Sequence, residues 1–284
     1  MTEVEDVVLA EIVRRAKDEN GMALLQEKDL RSLNESLEER TPREILDWAV
    51  SIFGDRLAIL SAMQKAGSVV CHMASAAGHR LPVLFVDTGV HFPETLETRD
   101  RISREYGLEV ITLQPEQTME EQTRELGILY LSVDGQLKCC ELRKSQPLLK
   151  ATGRFDGLLA SLRRSDGERR SNLPILALDK KMNCVRINLL ANFEDADMAD
   201  YVTREKVIVN PLHEQGYSTI GCSRCTTPVM PDEPKRAGRW RHLGPWAMYC
   251  GINPTDMRRP ESEAIDLPAD LIDRLLGRKV DFSI

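Results

Sequence analysis

Two kinds of hydrophobic segment alternate through the middle of this 284-residue chain. Short aliphatic runs predict β-strands at 57–61, 81–88, 109–113, 157–161 and 185–190. Between them, apolar residues at helical spacing predict helices ending near residue 77, at 93–106, at 119–126, over 139–150 and from 194 onward. This βαβα order predicts an α/β fold, an open and mostly parallel sheet with helices on both faces. Sheets of this kind bind ligands at the carboxyl ends of their strands.

The two ends of the chain depart from this alternation. Residues 1–40 repeat apolar positions at helical spacing and predict two amphipathic helices that serve for packing or for oligomer formation. The sequence Thr-Pro-Arg-Glu at 41–44 is typical of a helix start, because Thr can cap the helix, Pro suits its first turn and Glu completes a capping box. Beyond Asn210 the chain is irregular and rich in Gly, Pro and Cys, so something other than a hydrophobic core must hold it. We therefore divide the chain into a helical extension at 1–40, an α/β core at 41–209 and a C-terminal segment at 210–284.

Charge and composition narrow the class of protein and its compartment. The formal net charge of −7 argues against nucleic acid or an anionic membrane surface as the main partner. The N-terminus has neither the basic nor the apolar region of a secretory signal, and no apolar run approaches the roughly 20 residues that span a bilayer. We therefore expect a cytoplasmic protein. There its seven cysteines should stay reduced, so closely spaced cysteines indicate a metal or redox site.

Four of the cysteines form two pairs, the tandem Cys139-Cys140 and the C-x-x-C pair Cys222 and Cys225. Two distant pairs favour a metal site, because four thiolates complete a tetrahedral set of sulfur ligands. Structural zinc usually takes two C-x-x-C hairpins, whereas a tandem pair points successive side chains in different directions and suits a larger iron–sulfur cluster better. The spacing alone leaves both a zinc ion and a cluster open.

The remaining three cysteines have different surroundings. Cys71 and Cys184 lie in apolar runs and are predicted to be buried hydrophobic side chains. Cys250 lies in the sequence WAMYCGINP, near an irregular C-terminus, and is a candidate nucleophile. An incidental cysteine is the alternative for Cys250.

Polar and cationic residues occur where the predicted strands end. The turn Asp87-Thr88-Gly89 precedes a helix start and offers backbone N–H groups to an anion or a nucleotide edge; the alternative is a plain strand-to-helix turn. The loop at 61–68 contains Ser61 and Gln64 and lies where phosphates bind in such sheets. The cationic candidates are Arg143, Lys144, Arg163, Arg164, Arg170, Arg236 and Arg239. As a set they suit a polyanionic small ligand, although any one alone would be interpreted as a solvated surface charge.

The order of these motifs resembles that of assimilatory adenosine 5′-phosphosulfate reductases, members of the phosphoadenosine phosphosulfate reductase family. The matching segments are VDTGVHFPET (86–95), CCELRKSQPL (139–148), RRSDGERRS (163–171), VNPLHEQGYSTIGCSRCTTPV (209–229), RAGRW (236–240) and YCGIN (249–253). The similarity runs from about residue 41 to about residue 253. The resemblance implies a sheet similar to that of adenine nucleotide α-hydrolases.

The resemblance also implies a site and a reaction. It assigns the two cysteine pairs (139, 140, 222 and 225) to a 4Fe–4S cluster, Cys250 to the nucleophile, and the strand-end residues to substrate binding. It implies that Cys250 attacks the sulfur of adenosine 5′-phosphosulfate and that thioredoxin or glutaredoxin then releases sulfite. Relatives that reduce the 3′-phosphorylated substrate generally lack the four cluster cysteines, so the set here favours the unphosphorylated one.

Two departures from the family pattern keep alternative functions open. Tyr-Cys-Gly-Ile-Asn surrounds Cys250 where the family commonly has Glu-Cys-Gly-x-His, and Ala66 replaces an expected acid in the loop at 61–68. One alternative is a reductase that prefers the 3′-phosphorylated substrate. The other is a nucleotide-binding iron–sulfur regulator with impaired catalysis.

Overall fold

A six-stranded sheet forms the centre of the protein in a computed structural model that describes residues 22–244 and 265–277. The strands are β1 (Met22–Leu25), β2 (Leu57–Leu60), β3 (Val83–Val86), β4 (Val110–Leu113), β5 (Gly157–Ala160), β6 (Leu176–Asp179), β7 (Cys184–Asn188) and β8 (Ile265–Pro268). The helices are α1 (Arg31–Leu37), α2 (Pro42–Phe53), α3 (Lys65–Ala76), α4 (Pro93–Tyr106), α5 (Met119–Leu126), α6 (Val133–Cys140), α7 (Gln146–Thr152), α8 (Asp195–Glu205) and α9 (Ala269–Leu275).

The central sheet has the strand order β4-β3-β2-β5-β7-β6. All neighbouring strands in it are parallel except β6, which pairs antiparallel with β7 at one edge. The predicted α/β fold with an open, mostly parallel sheet is thereby confirmed. β1 and β8 form a separate antiparallel pair.

The strands are short and aliphatic because helices cover both faces of the sheet. Ile59 and Phe85 point into one large core cluster, while their neighbours Ala58 and Leu84 point into a second cluster. This alternation follows from the two-residue period of a strand. Cys71 belongs to the first cluster and Cys184 to the second, as predicted, and burial raises the pKa of each thiol to about 12.

Three helices have the boundaries that their local signals predict. Thr41 caps α2, its Oγ1 accepting from the Glu44 amide at 3.3 Å and its own amide donating to Glu44 Oε2 at 2.8 Å. Helices α4 and α5 span the predicted 93–106 and 119–126. Each of these two ends at a glycine with positive φ, because glycine adopts that conformation without strain.

Two sequence predictions of secondary structure are wrong in part, and one strand was missed. The second helix expected within 1–40 begins as strand β1, paired with β8, and only 31–37 is α-helical; residues 1–21 lie outside the described part of the chain. Strand β6 was not predicted. The helix expected over 139–150 is interrupted by a π-helical turn, Glu141–Ser145, which directly follows the tandem cysteines. Such turns inside α-helices often mark functional sites.

No helix in the ranges 22–244 and 265–277 has the length and apolar character needed to cross a membrane. The proposed division of the chain at residues 40 and 209 stays a prediction.

Candidate active site

A cleft of about 710 Å³ opens at the carboxyl ends of the central strands. It is lined by residues that follow β2, β3 and β5 and by the irregular segment between 213 and 239. The predicted ligand-binding residues that line it are Ser61, Gln64, Thr88, Lys144, Arg163, Arg170, Arg236 and Arg239. The other four lie outside its lining: Asp87, Gly89, Arg143 and Arg164. The cleft has the location that a parallel sheet of this kind predicts.

The loop after β2 is held in place by contacts within the loop and by one distant contact. The Met63 amide donates to Ser61 Oγ at 3.1 Å. A Cβ atom at Gly67 would lie 2.5 Å from that oxygen, so glycine allows the first turn of α3 to approach the loop closely. Gln64 Oε1 accepts from the Ile220 amide at 2.9 Å. Ser61 therefore shapes the loop, and Gln64 joins it to the C-terminal segment.

His213, which was not selected from the sequence, holds the start of α3. The Lys65 amide donates to His213 Nε2 at 3.0 Å, so Nδ1 carries the proton and donates to the Tyr217 carbonyl at 2.7 Å. Burial lowers the pKa of His213 to about 4, with the Lys65 charge acting in the same direction, so the ring is neutral at pH 7. Its position in the motif VNPLHEQGYST was the signal that could have identified it.

The turn after β3 connects the cleft to the cysteines. Asp87 Oδ1 accepts from the Gly89 amide at 2.9 Å, a local contact that stabilises the turn. Thr88 is buried, and its Oγ1 lies 3.3 Å from Cys222 Sγ. Its carbonyl accepts from Arg143 Nε at 2.7 Å. Asp87 and Gly89 therefore shape the turn, and Thr88 alone of the three faces the cleft.

Arg143, predicted to bind substrate, lies against the cysteines instead. Its side chain is 3% exposed, and Nη1 donates to the Gln117 carbonyl at 3.1 Å and to Gln122 Oε1 at 3.2 Å. Burial lowers the pKa of the guanidinium, while the Cys139 and Cys222 thiols act in the opposite direction. The position fits a fixed positive charge beside the cysteines.

Arg164 is also placed away from the cleft. It forms a bidentate ion pair with Glu38, at 2.9 and 2.6 Å, and Nε donates to the Leu173 carbonyl at 2.8 Å. It therefore fastens the segment after α1 to the core.

Arg163 and Arg170 line the cleft, but carboxylates already pair with them. Both donate to Asp166, Arg163 Nε at 3.0 Å and Arg170 Nη1 at 3.1 Å. Arg163 Nη2 also donates to Asp195 at 3.0 Å, and Lys235 Nζ donates to the same carboxylate at 2.6 and 2.8 Å. The Lys235 hydrogen bonds, followed by those of Arg163, hold the pKa of Asp195 below its usual value. The sequence did not identify these carboxylates or Lys235, whose pairing depends on the fold.

Arg239 lines the cleft and has two nitrogen donors without a partner in the part of the chain that the structure describes. Its side chain is 5% exposed, its Cζ lies 4.2 Å from the Trp240 ring centroid, and Gly221 packs on it, since a Cβ there would lie 2.4 Å from Cζ. Neither Nε nor Nη2 has a hydrogen-bond partner among the described residues. Arg236 and Lys144 line the same cleft. Buried guanidinium donors without partners suit an anionic ligand.

The two cysteine pairs meet at a second, smaller cavity. It is lined by Cys139, Cys140, Cys222 and Cys225 together with Arg143, Lys144, Gln136 and Trp240. Gln136 Nε2 lies 3.2 Å from Cys140 Sγ, and Gln122 Nε2 lies 3.6 Å from Cys139 Sγ, so both sulfurs accept from amides. The tandem pair comes from the end of α6 and the other pair from the 3₁₀ turn Ser223–Cys225. Lys144 lines both this cavity and the large cleft.

The thiols of this cavity are electrostatically coupled. Burial raises the pKa of Cys225 to about 11, Cys222 acts in the same direction, and Lys144 and Arg239 oppose them. Within the described ranges, no group of three or more His, Cys, Asp or Glu side chains is arranged to hold a single metal ion. The four sulfurs line one cavity.

Cys250, the predicted nucleophile, lies outside the described residues. The described chain ends six residues before it at Gly244. Just upstream, His242 Nε2 donates to the Tyr130 carbonyl at 2.7 Å, and Tyr130 lines the cysteine cavity. The last described residues before Cys250 therefore contact the lining of the cysteine cavity.

Comparisons with known proteins agree with this architecture. Residues 56–228 match the phosphoadenosine phosphosulfate reductase domain. An adenosine 5′-phosphosulfate reductase of Streptomyces coelicolor is 42% identical over 76% of this chain and 90% of its own length, and adenosine 5′-phosphosulfate reductase 1 of Bacillus subtilis is 35% identical over 74% and 89%. The crystal structure of a phosphoadenylyl-sulfate reductase from Candida auris, a phosphate complex, has a TM-score of 0.63 and 26% identity, covering 72% of this chain and 98% of its own. With its sheet, strand-end cleft and motif order, this chain belongs to the phosphoadenosine phosphosulfate reductase family.

Proposed function

We propose that the protein reduces adenosine 5′-phosphosulfate to sulfite and AMP in sulfate assimilation. The observation that carries the proposal is the strand-end cleft, where Arg239 has donors without a partner among the described residues and Lys144 lines both the cleft and the cysteine cavity. The two curated relatives named above are adenosine 5′-phosphosulfate reductases, which supports the same substrate.

The cleft cations have two tasks in this reaction. Arg239, Arg236 and Lys144 bind the phosphosulfate group, whose oxygens suit charge-assisted hydrogen bonds. They also offset the repulsion between an anionic substrate and an attacking thiolate, and they stabilise the charge that develops on the leaving phosphate. Arg163 and Arg170 already donate to Asp166 and contribute mainly to the shape of the cleft.

The reaction proceeds in two stages, transfer of the sulfonate group to Cys250 and release of sulfite by a dithiol donor. The Cys250 thiolate attacks the sulfur atom of the substrate, the sulfur–oxygen bond to the phosphate breaks, and AMP leaves with the electron pair. Cys250 then carries an S-sulfonate. A thiolate of thioredoxin or glutaredoxin attacks the Cys250 sulfur, sulfite leaves, and the second thiol of the donor resolves the mixed disulfide. The donor dithiol supplies both electrons.

We further propose that Cys139, Cys140, Cys222 and Cys225 hold a 4Fe–4S cluster. Four thiols around one cavity, amide N–H groups directed at two sulfurs, and the nearby cations Arg143 and Lys144 fit a multi-iron cluster with thiolate ligands. The tandem Cys139-Cys140 pair favours a cluster over zinc, because structural zinc usually takes two C-x-x-C hairpins. When bound, the cluster would tie the segments at 139 and 222 together and hold the shape of the cleft wall.

Metal analysis tests the cluster proposal. Anaerobically purified protein should contain about four iron and four acid-labile sulfide per chain. Cys139→Ala should lose both, whereas Cys71→Ala, which changes a cysteine of the hydrophobic core, should retain them. Stoichiometric zinc without sulfide would contradict the proposal.

An anaerobic turnover assay tests the reaction. Wild-type protein with thioredoxin should release sulfite from adenosine 5′-phosphosulfate, with a larger kcat/KM than for the 3′-phosphorylated substrate. Cys250→Ser should lose sulfite release while AMP binding persists, and Cys184→Ala serves as the matched control. Sulfite release that survives Cys250→Ser would contradict the mechanism. A larger kcat/KM for the 3′-phosphorylated substrate would favour that substrate instead. AMP binding without any sulfite release would favour a regulator.

Cytoplasmic location, the identity of the dithiol donor and an oligomeric state stay predictions.

A further inference from the structure

Trp240 lies between the two cavities. Its side chain is fully buried and packs against Cys140 and Cys225. Its ring also lies 4.2 Å from Arg239 Cζ and 5.8 Å from Lys144 Nζ, measured to the ring centroid. One aromatic ring thus contacts cysteines of the small cavity and cations that line the large cleft.

The backbone fixes the orientation of this ring. Trp240 has a φ of +48°, in the left-handed region that bulky residues rarely adopt. Its amide donates to the Cys225 carbonyl at 2.9 Å, and its own carbonyl accepts from the Leu243 amide at 2.8 Å. A conformation of this kind persists only where the surroundings hold it, and such positions concentrate at functional sites. The Cys225 segment is the part of the surroundings that holds it.

Arg239 depends on this arrangement because residues next to the cysteines contact its guanidinium. The Trp240 ring centroid lies 4.2 Å from Cζ, and Gly221, which directly precedes Cys222, packs closely on the same group. These two neighbours therefore restrict the position of the Arg239 donors that have no partner among the described residues. Movement of either cysteine of the C-x-x-C pair would move a support of Arg239.

We propose that Trp240 is a positioning residue that orients the Arg239 guanidinium toward the anionic group of the ligand. Because Trp240 also contacts the cysteines, this orientation depends on the state of the cysteine site. The proposal rests on the function proposed above and adds a route between its two sites. Anion affinity should change when the cysteine site is emptied, and by thermodynamic linkage anion binding should stabilise the loaded site.

Ligand binding to Cys250→Ser protein, measured by anaerobic titration calorimetry, provides the first test. Trp240→Leu should weaken AMP binding about 10-fold, and Trp240→Phe, which keeps an aromatic ring, about 2-fold. Adenosine lacks the phosphate, so its affinity should change less than 2-fold in either variant. Trp48→Phe, at a tryptophan that contacts Phe53 instead, is the matched control and should leave both affinities unchanged.

A double-mutant cycle separates positioning from general disruption. In an Arg239→Met background, Trp240→Leu should have no further effect on AMP affinity, because Trp240 acts through Arg239. Removing iron from the wild-type protein should weaken AMP binding, and the same treatment of Trp240→Leu should change it little. Additive effects of the two substitutions, or equal losses of AMP and adenosine affinity, would overturn the proposal.

The outcomes also separate this inference from the proposed function. If wild-type protein binds AMP but releases no sulfite, the proposed reductase function is contradicted. The double-mutant cycle on AMP affinity would then still test the role of Trp240. If the protein releases sulfite but the effects of Trp240→Leu and Arg239→Met on AMP affinity are additive, the proposed reductase function stands and the positioning role of Trp240 is contradicted. Wild-type protein that does not bind AMP would overturn both.

Discussion

Replacing Gly221 with alanine should damage ligand binding without rearranging the fold. The new methyl group would lie 2.4 Å from Cζ and Nη2 of Arg239, well inside contact distance. Arg239 has little room to move away, because the Trp240 ring centroid lies 4.2 Å from its Cζ and the residue is almost fully buried. Gly221 does not have a positive φ, so alanine meets no backbone strain there. The expected response is a displaced guanidinium.

The size of the effect follows from the contacts that Arg239 would lose. A hydrogen bond to a charged group contributes about 1.5–3 kcal/mol. Since about 1.4 kcal/mol corresponds to a tenfold change in Kd, losing one such bond should weaken AMP binding roughly 10- to 100-fold. Overpacking should also lower the free energy of unfolding, by about 1–3 kcal/mol.

Anaerobic titration calorimetry with AMP measures this change, with iron content determined on the same samples. Gly153→Ala is the matched control, because a Cβ at Gly153 would meet nothing within 4 Å and should leave Kd unchanged. A Gly221→Ala protein with full iron content and a Kd within twofold of wild type would refute the assignment of Arg239 to the anion.

Three further substitutions test the fold. Asp179→Ala removes the carboxylate 2.7 Å from buried Arg186 and should cost about 3–5 kcal/mol in urea unfolding; a loss under 1 kcal/mol would contradict the buried pair. Burial lowers the pKa of His213 from 6.5 to about 4, so the unfolded chain binds a proton in that window that the folded chain does not. Stability should therefore fall as the pH drops from 6.5 to 4, and His213→Asn should make the fall in thermal midpoint shallower; an unchanged slope would contradict this. Thr41→Ala should lower stability by about 1 kcal/mol in urea unfolding through loss of the capping box, and Thr41→Ser should not.

Local signals account for the elements that the sequence predicts well. Helix α4 begins with Pro93 and ends at Gly107, and α5 begins with the capping box of Thr118 and Glu121 and ends at Gly127. Each signal lies within one turn of the boundary that it sets, so the sequence alone is enough to place it. The buried strands are likewise visible as aliphatic runs.

Elements that depend on distant partners were missed or misassigned. Strand β1 is a strand because it pairs with β8, at the other end of the chain, and its own apolar residues suit a helix equally well. The π-helical turn at Glu141–Ser145 depends on tertiary contacts, among them the hydrogen bond from Arg143 to the carbonyl of Thr88, 55 residues away. Sequence periodicity contains no information on such contacts.

The same limit applies to the site. The sequence predicted seven cationic site residues near strand ends, and six of them line the cleft or the cysteine cavity. It contained no information on which of these cations pair with carboxylates of the protein. Arg164 pairs with Glu38, 126 residues away, and Arg163 pairs with Asp195. Only the fold distinguishes these neutralised charges from Arg239.

Cys250 is six residues from Gly244, the last residue of the first described range, and the second described range begins at Ile265, which pairs with Leu25. Six residues extend at most about 22 Å, so the covalent chain alone keeps Cys250 within that distance of Gly244. One thiol in a sphere of that radius corresponds to an effective concentration on the order of tens of millimolar. If Cys250 is the nucleophile, as proposed, a free thiol at cellular concentrations would compete poorly with it for the bound substrate.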